Sequence, residues 1–192
     1  SRKEFFLYIK PEGVMRTFNV SVLDGSKVLA KTTLNINCTG DTTTLFGVLA
    51  DNPSNFTVLN NVRPLTGVSK TTQLKIADLP DNPLGWSMLD VLVISNVDTG
   101  TLSSSQKQAL ELWLANGGKL FVTGGIQWQL TTAGLSDFLP IKLTSIQKVN
   151  SLSALAAYTM DETPLESETI LAAGAAQTGT NILVSQNGIP VL

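Results

Sequence analysis

The chain has 192 residues, of which 43% are hydrophobic and only 15% are charged. This length suits one well-buried domain, or one domain with a small appendage. A net charge of −2 without any lysine or arginine run argues against a nucleic-acid-binding surface, which needs clustered cations. Typical globular domains carry about 25% charged residues, so this surface must consist largely of Ser, Thr, Asn and Gln. That composition favours an extracytoplasmic location.

Two absences limit the chemistry that the chain can perform. The sequence contains no histidine and one cysteine, Cys38. An internal disulfide, a cysteine-rich metal site and every Ser-His-Asp or Cys-His arrangement are therefore excluded. The commonest zinc ligand is missing as well. The sequence predicts no catalytic residue, no metal site and no cofactor, and it disfavours enzymatic activity without excluding it.

Residues 16–36 have the pattern of a β-hairpin. β-Branched and aromatic residues alternate with polar ones at a period of two, which is typical of a half-buried strand. Asp24 and Gly25 stand between two such runs and favour a type I′ turn with positive φ at both residues. We predict that residues 1–43 form an N-terminal hairpin and linker, which can also be the end of a preceding β-domain.

The pattern then changes to strand, helix, strand. Leu45–Ala50 is an uninterrupted apolar run, as expected of a parallel strand that is buried on both faces. Asp51 or Asn52 can cap a helix that begins at Pro53. Thr72–Leu79 is a second strand candidate.

The clearest unit is a strand, a helix and a second strand. Val91–Ile94 and Lys119–Thr123 are apolar strands. Ser103 and Gln106 form a capping-box pattern between them, and the glycines in residues 116–118 can end the helix. Apolar residues recur at helical spacing on one face, namely Leu102, Ala109, Leu110, Trp113 and Leu114. The pattern predicts a right-handed βαβ unit.

The last third of the chain is less regular. We predict a short helix over Thr132–Phe138 and a hairpin around Asn187 and Gly188. Further strand candidates are Leu139–Ile146, Thr169–Ala173, Ile182–Ser185 and Ile189–Leu192. Because the last hairpin stops in mid-strand, we interpret residues 44–192 as a C-terminally truncated domain.

Two stretches of the βαβ unit carry a family resemblance. "DVLVISNVD" (90–98) and "LSSSQKQALELWLANGGKLFVTGG" (102–125) resemble the class I glutamine amidotransferase-like superfamily. The likeness is closest to a branch found in uncharacterised, membrane-anchored bacterial proteins, whose opening strand and helix are similar to "LFGVLADNPSNFTVLNNV" (45–62). The resemblance implies an α/β fold, a three-layer flavodoxin-like and mostly parallel sheet, to which the hairpin is an N-terminal extension.

The same resemblance argues against activity. Active members of the superfamily place a cysteine on the elbow that follows the strand matching Lys119–Thr123, and they supply a histidine farther along. Here the elbow reads "TGGI" (123–126), and the chain has no histidine. The resemblance therefore implies a non-catalytic domain.

Two groups of residues are candidates for ligand binding. Asp51, Asn96 and Asp98 follow two predicted parallel strands, at the edge where open α/β sheets bind ligands. They can hold a polar ligand or a hard cation, or they can be cap and turn residues. Gly124 and Gly125 can hold an anion on backbone N–H groups, or they can form a tight turn.

Two tryptophans are candidates for an aromatic surface. Trp86 and Trp128 lie near predicted loops. Exposed indole rings there could stack against a sugar or a peptide. The alternative is partial burial at the base of the loops.

These observations predict a non-catalytic module of a larger extracytoplasmic, membrane-tethered protein. Its role would be scaffolding or recognition, with a protein or a polysaccharide as the partner and the membrane reached only through a tether outside this chain. One alternative is a hydrolase or metal-dependent enzyme that uses the acidic edge of the sheet. Another is a carbohydrate-binding module that uses exposed tryptophan.

Overall fold

The computed structural model describes residues 7–9, 16–36, 38–161 and 166–192 and has a mixed α/β architecture. The predicted α/β class is confirmed. The described residues form a four-stranded parallel sheet and three two-stranded antiparallel sheets. The division of the chain at residue 43 stays a prediction.

The N-terminal hairpin consists of β1 (Thr17–Asp24) and β2 (Lys27–Asn35), which pair antiparallel. The predicted hairpin is confirmed, but its predicted turn was wrong by one residue. Asp24 stays in the ladder opposite Lys27, and only Gly25 has a positive φ, of 59°. A turn with one positive φ suffices, and glycine adopts it without a steric penalty. Every residue of β2 is exposed, so the hairpin packs few side chains into a core.

The central sheet contains β3 (Thr43–Ala50), β4 (Val68–Gln73), β5 (Val91–Ser95) and β6 (Lys119–Val122). The strand order is β4-β3-β5-β6, and all neighbouring pairs are parallel. The chain enters this sheet at the inner strand β3 and forms the edge strand β4 on one side. It then crosses back to form β5 and β6 on the other side of β3. The two edge strands are β4 and β6.

The connection between β3 and β4 differs from the prediction. Residues Pro53–Asn61 form a 3-10 helix instead of an α-helix, and Asn52 makes no side-chain cap bond. Thr57 and Asn60 donate side-chain hydrogen bonds to carbonyls three residues earlier. Such bonds compete with the α-helical backbone pattern.

Strand β4 also begins and ends earlier than the predicted Thr72–Leu79. The residues after it turn into a 3-10 helix, Ile76–Asp78. Asp78 accepts a hydrogen bond from the Lys75 backbone N–H at 2.8 Å, and this bond ends the extended conformation.

The predicted helix of the βαβ unit is α1 (Ser104–Ala115), and its predicted N-terminus is confirmed. The Ser103 hydroxyl accepts from the Gln106 N–H at 3.2 Å, and the Gln106 side chain accepts from the Ser103 N–H at 3.0 Å. This is the reciprocal pattern of a capping box. The Gln106 amide also donates to the carbonyls of Ile76 and Leu79, both at 2.9 Å, and so ties α1 to the preceding segment.

The predicted end of α1 is confirmed as well. Gly117 adopts a φ of 96° and donates to the Leu114 carbonyl, and Gly118 donates to the Trp113 carbonyl. These two bonds are those of a Schellman motif. A Cβ on Gly118 would lie 2.3 Å from the Trp113 ring, so this position has no room for a side chain.

The main core lies between α1 and one face of the sheet. Trp86 and Trp113 stack at its centre, with their ring centroids 5.2 Å apart. Their indole N–H groups donate to the carbonyls of Pro80 and Leu89. The other buried members are Leu49, Leu79, Leu92, Ile94, Leu102, Ala109, Leu110 and Leu135. The predicted apolar face of α1 is therefore the face that packs on the sheet.

After β6 the chain leaves the parallel sheet. The helix α2 (Trp128–Thr132) begins four residues before the predicted Thr132–Phe138. The strands β7 (Ile141–Val149) and β8 (Thr169–Ala176) then form a separate antiparallel sheet, and α3 (Ser153–Thr159) lies between them in sequence.

The final hairpin is confirmed around Asn187 and Gly188, which have φ values of 53° and 80°. It pairs β9 (Ser185–Gln186) with β10 (Ile189–Pro190). Both central residues have positive φ, as a type I′ turn requires.

The short segment 7–9 lies against the loop after β4. The Tyr8 hydroxyl donates to the Asp81 carboxylate at 2.6 Å and accepts from the Asp81 N–H at 3.2 Å. The hydrogen bond to the carboxylate, together with desolvation, raises the pKa of Tyr8 above its ordinary value. A polar contact therefore attaches this segment to the α/β domain.

Candidate functional site

The carboxyl ends of β3, β5 and β6 lie next to one another. The Thr123 hydroxyl donates to the Ser95 hydroxyl at 2.8 Å, and the Asp51 N–H donates to the Ser95 carbonyl at 3.4 Å. Asn96 follows Ser95 in a left-handed conformation with a φ of 52° and is half-buried. The structure therefore brings Asp51 and Asn96 to one edge of the sheet, as the sequence predicts.

The two acidic candidates both bind backbone N–H groups. Asp51 accepts from the Asn52 N–H at 2.7 Å, and Asp98 accepts from the Gly100 N–H at 2.9 Å. Asp98 thereby caps the 3-10 helix Thr99–Thr101. In the part of the chain that the structure describes, no group of three or more acidic, cysteine or histidine residues could hold a metal ion. This edge offers turn and cap residues and no cluster of carboxylates.

The glycine elbow after β6 is approached by an apolar side chain. A Cβ on Gly124 would lie 3.0 Å from the Cβ of Ala172 in β8, while Gly125 has open space around it. The following helix α2 has only five residues, and Gln127 makes no side-chain cap bond. The elbow thus connects the parallel sheet to the second sheet, and it lacks the longer helix that commonly accompanies a bound anion.

The predicted aromatic surface is wrong at Trp86. Its side chain is 1% exposed, because it stacks on Trp113 inside the main core. Sequence position near a loop could not reveal this burial, since the packing partner lies 27 residues away. Trp128 is half-buried at the start of α2.

A cavity of about 720 Å³ lies between β6 and the β7–β8 sheet. We call it the β6 groove. Apolar side chains from β6, the β7–β8 sheet and the neighbouring loops line it, among them Leu120, Phe138, Leu143, Leu155, Leu171 and Val191. Its volume and apolar character are typical of a ligand-binding pocket.

The β6 groove carries no ionisable side chain. Its two hydroxyl side chains, Thr123 and Thr132, already donate hydrogen bonds to Ser95 and to the Trp128 carbonyl. General acid–base chemistry needs a positioned titratable group, which this lining does not supply. The groove can bind an uncharged, apolar group.

The backbone of β6 adds hydrogen-bonding capacity beside the groove. Lys119 and Thr123 donate their N–H groups to the carbonyls of Asp90 and Ile94. In a parallel pair, alternate residues bond to the same neighbour. The N–H and C=O groups of Leu120 and Val122 therefore point away from β5, towards the open side of the strand.

A second depression, of about 370 Å³, lies between α1 and the turn after α2. Lys107, Glu111 and Asp137 contribute charged groups to it. Glu111 and Asp137 are exposed to solvent, where a polar ligand would gain little by replacing water. The β6 groove is the better candidate because apolar burial drives most ligand binding.

The sequence predicts the strand at β6 but not the groove. Apolar residues point to both faces of this strand, namely Leu120, Phe121 and Val122, and this pattern predicts a strand that is buried on both faces. In the structure β6 is an edge strand, and Phe121 is 48% exposed. The apolar run was the one sequence feature that could have indicated a binding surface at β6. The position of β6 at the sheet edge could not be predicted, because strand order depends on crossover connections that the local sequence does not encode.

Comparison of the chain with protein-family models, curated protein sequences and solved structures found no significant match. The candidate site therefore rests on the geometry described above. Among the described residues, no helix has both the length and the apolar character that a membrane crossing requires.

Proposed function

We propose that this chain is a non-catalytic recognition module of a larger extracytoplasmic, membrane-tethered protein, and that it binds its partner in the β6 groove. The module would belong to the class I glutamine amidotransferase-like superfamily, with flavodoxin-like layering. The observation that carries the proposal is a large apolar cavity with no ionisable side chain in its lining.

The strand order supports the proposed layering. The order β4-β3-β5-β6 is equivalent to the first four strands of the flavodoxin-like order 2-1-3-4-5. In that order the next strand would lie beside β6, where this chain has the groove.

The elbow supports a non-catalytic role. Gly124 and Gly125 follow β6, where active members of the superfamily carry a cysteine nucleophile, and no histidine is present in the sequence to activate one. The Asp51 and Asp98 carboxylates each bind a backbone N–H group, and neither lines the β6 groove.

The lining of the groove favours a protein partner over a polysaccharide. Sugar binding commonly uses an exposed aromatic ring together with polar side chains, because sugars present both apolar faces and hydroxyl groups. Trp86 is buried outside the groove, and the groove hydroxyls of Thr123 and Thr132 are already bonded, so no polar side chain is available beside the exposed Phe121 ring. The low charged fraction of 15% supports the extracytoplasmic location.

A fluorescent apolar probe tests the binding function. We expect the uncharged probe N-phenyl-1-naphthylamine to bind the native chain saturably. Leu143→Trp should weaken this binding at least tenfold, because Leu143 lines the groove and the larger ring would fill it. Thr144→Trp is the matched control, since Thr144 lies on the same strand, is exposed and does not line the groove. Equal probe affinity in the two variants would contradict the proposed site.

Release of ammonia from glutamine tests the non-catalytic assignment. We expect no release above the rate in buffer. Ammonia release that stays with the chain through purification would overturn this part of the proposal without affecting the groove.

A further inference from the structure

The two edge strands of the central sheet, β4 and β6, differ in whether a side chain covers their outward-facing backbone groups. At the β4 edge, Asn60 accepts a hydrogen bond from the outward-facing Thr71 N–H at 2.9 Å, and its amide donates to the Thr71 hydroxyl at 3.1 Å. This side chain occupies the place where another strand would pair. Native proteins commonly blunt their sheet edges in such ways.

The β6 edge has no comparable cover among the described residues. The outward-facing N–H groups of Leu120 and Val122 have no hydrogen-bond partner there, as the register with β5 implies. The interior of the strand contains no proline, glycine or charged residue, and Lys119 stands only at its start. This edge is therefore competent to pair with a further strand.

The space beside this edge has the size of a strand. A four-residue strand rises about 3.3 Å per residue, lies about 4.8 Å from its neighbour and belongs to a layer about 10 Å thick, so it fills about 600 Å³. The β6 groove measures about 720 Å³, and β6 itself has four residues. The Gly124 backbone, against Ala172, also lines the groove.

We infer that the β6 groove binds an uncharged, extended peptide segment of a partner protein, which pairs with β6 as an added strand. This inference rests on the proposed binding function. The apolar lining would accept alternate apolar side chains, while the backbone groups of Leu120 and Val122 would supply the hydrogen bonds of β-strand addition. A fatty acyl chain fits the lining less well because it leaves those backbone groups unpaired.

The test uses blocked heptapeptides with lysine at both ends. Between the lysines, threonine alternates with an equimolar mixture of valine, isoleucine, leucine and phenylalanine. We expect this pool to displace the fluorescent probe and to slow amide exchange at Leu120 and Val122 by at least tenfold, as measured by NMR. Leu143→Trp should abolish the effect, and Thr144→Trp should preserve it.

Two N-methylated pools test the backbone pairing itself. One is methylated at the threonines and the other at the apolar positions, so each loses the N–H groups of one strand edge. We expect one pool to bind at least tenfold more weakly and the other to bind within threefold of the unmethylated pool, because only one edge of the peptide would face β6. Equal binding of all three pools would overturn strand addition.

The remaining outcomes separate this inference from the proposed function. If the fluorescent probe binds and myristate displaces it, but no peptide pool slows exchange at Leu120 and Val122, the groove is an acyl site and the inference is wrong. If neither the probe nor any peptide binds, the proposed binding function fails as well.

Discussion

At the scale of single residues, one buried hydroxyl joins two parts of the chain that are distant in sequence. Thr99 is fully buried, and its hydroxyl donates to the Thr131 carbonyl and accepts from the Gly134 N–H, both at 2.9 Å. A Cβ on Gly134 would lie 2.0 Å from the Thr99 carbonyl oxygen, so the two segments touch through their backbones. Thr99 therefore holds the loop after β5 against the end of α2.

Replacing this hydroxyl should be costly. Thr99→Val keeps the shape but leaves the Thr131 carbonyl and the Gly134 N–H without their partner, and we expect the free energy of unfolding to fall by about 2–4 kcal/mol. Thr99→Ser keeps the hydroxyl and should lose only about 1 kcal/mol, for the missing methyl group. Urea unfolding of both variants measures the difference. A valine variant as stable as the serine variant would show that the two hydrogen bonds contribute little.

Tyr8 provides a prediction about pH. The Asp81 carboxylate raises the pKa of the Tyr8 hydroxyl, so the phenol stays protonated above its ordinary pKa of about 10. Because the folded pKa is the higher one, the stabilisation from this contact is complete below the ordinary pKa. It is lost as the pH rises through the raised pKa.

Ultraviolet absorbance can follow this titration. In a Tyr158→Phe background Tyr8 is the only tyrosine, and we expect its apparent pKa to fall towards the ordinary value when Asp81→Asn is added. Asp137→Asn, which removes a carboxylate that forms no contact with Tyr8, is the control. A pKa of Tyr8 that Asp81→Asn leaves unchanged would contradict the contact.

At the scale of secondary-structure elements, local rules explain α1 well and its neighbours less well. Ser103 and Gln106 begin the helix, and Gly117 ends it, so both ends could be predicted from the sequence. The 3-10 helix Pro53–Asn61 could not, because short polar side chains there bond to nearby carbonyls. Sequence patterns therefore fail to predict the helix type where side chains compete with backbone N–H groups for the carbonyls.

The Gln106 side chain has two roles, which one substitution can separate. It completes the capping box of α1, and it bonds α1 to the segment before it. Gln106→Glu keeps the acceptor of the capping box, which alone would leave α1 unharmed. The carboxylate cannot donate to the carbonyls of Ile76 and Leu79, so we expect a loss of about 2–3 kcal/mol in the free energy of unfolding.

Gln108→Glu is the matched control for this change. Gln108 is exposed on the same helix, and the control should alter stability by less than about 0.5 kcal/mol. Thermal unfolding of the two variants side by side measures both effects. If Gln106→Glu and Gln108→Glu unfold at the same temperature, the link between α1 and the segment Ile76–Asp78 does not stabilise the fold.

At the scale of the whole molecule, apolar residues divide into a packed core and an open hairpin. Leu92 in β5 is completely buried, whereas Leu29 in β2 is 58% exposed. Both belong to strands that the sequence predicts, and both are leucines. The sequence could not tell them apart, because burial depends on which elements pack over a strand. The strands β3, β5 and β6 could be predicted because each is a local apolar run, whereas the β6 groove and the burial of Trp86 depend on packing between distant elements and could not.

This division predicts unequal costs for the same substitution. Leu92→Ala should lower the free energy of unfolding by about 2–5 kcal/mol, since it leaves a cavity in the core. Leu29→Ala should change it by less than about 0.5 kcal/mol, since the side chain already contacts solvent. Urea unfolding, with the same m-value required of both variants, measures the contrast. A large loss in Leu29→Ala would indicate that the hairpin is packed in solution against another surface.

The stacked pair of Trp86 and Trp113 also has an optical consequence. Two indoles with centroids 5.2 Å apart and an interplanar angle of 29° couple their electronic transitions, and this coupling gives a near-ultraviolet circular dichroism signal that depends on their fixed geometry. Trp128 begins α2, and its carbonyl accepts a hydrogen bond from the groove-lining Thr132. The chain thus contains a spectroscopic reporter of its core and a separate fluorophore close to its groove.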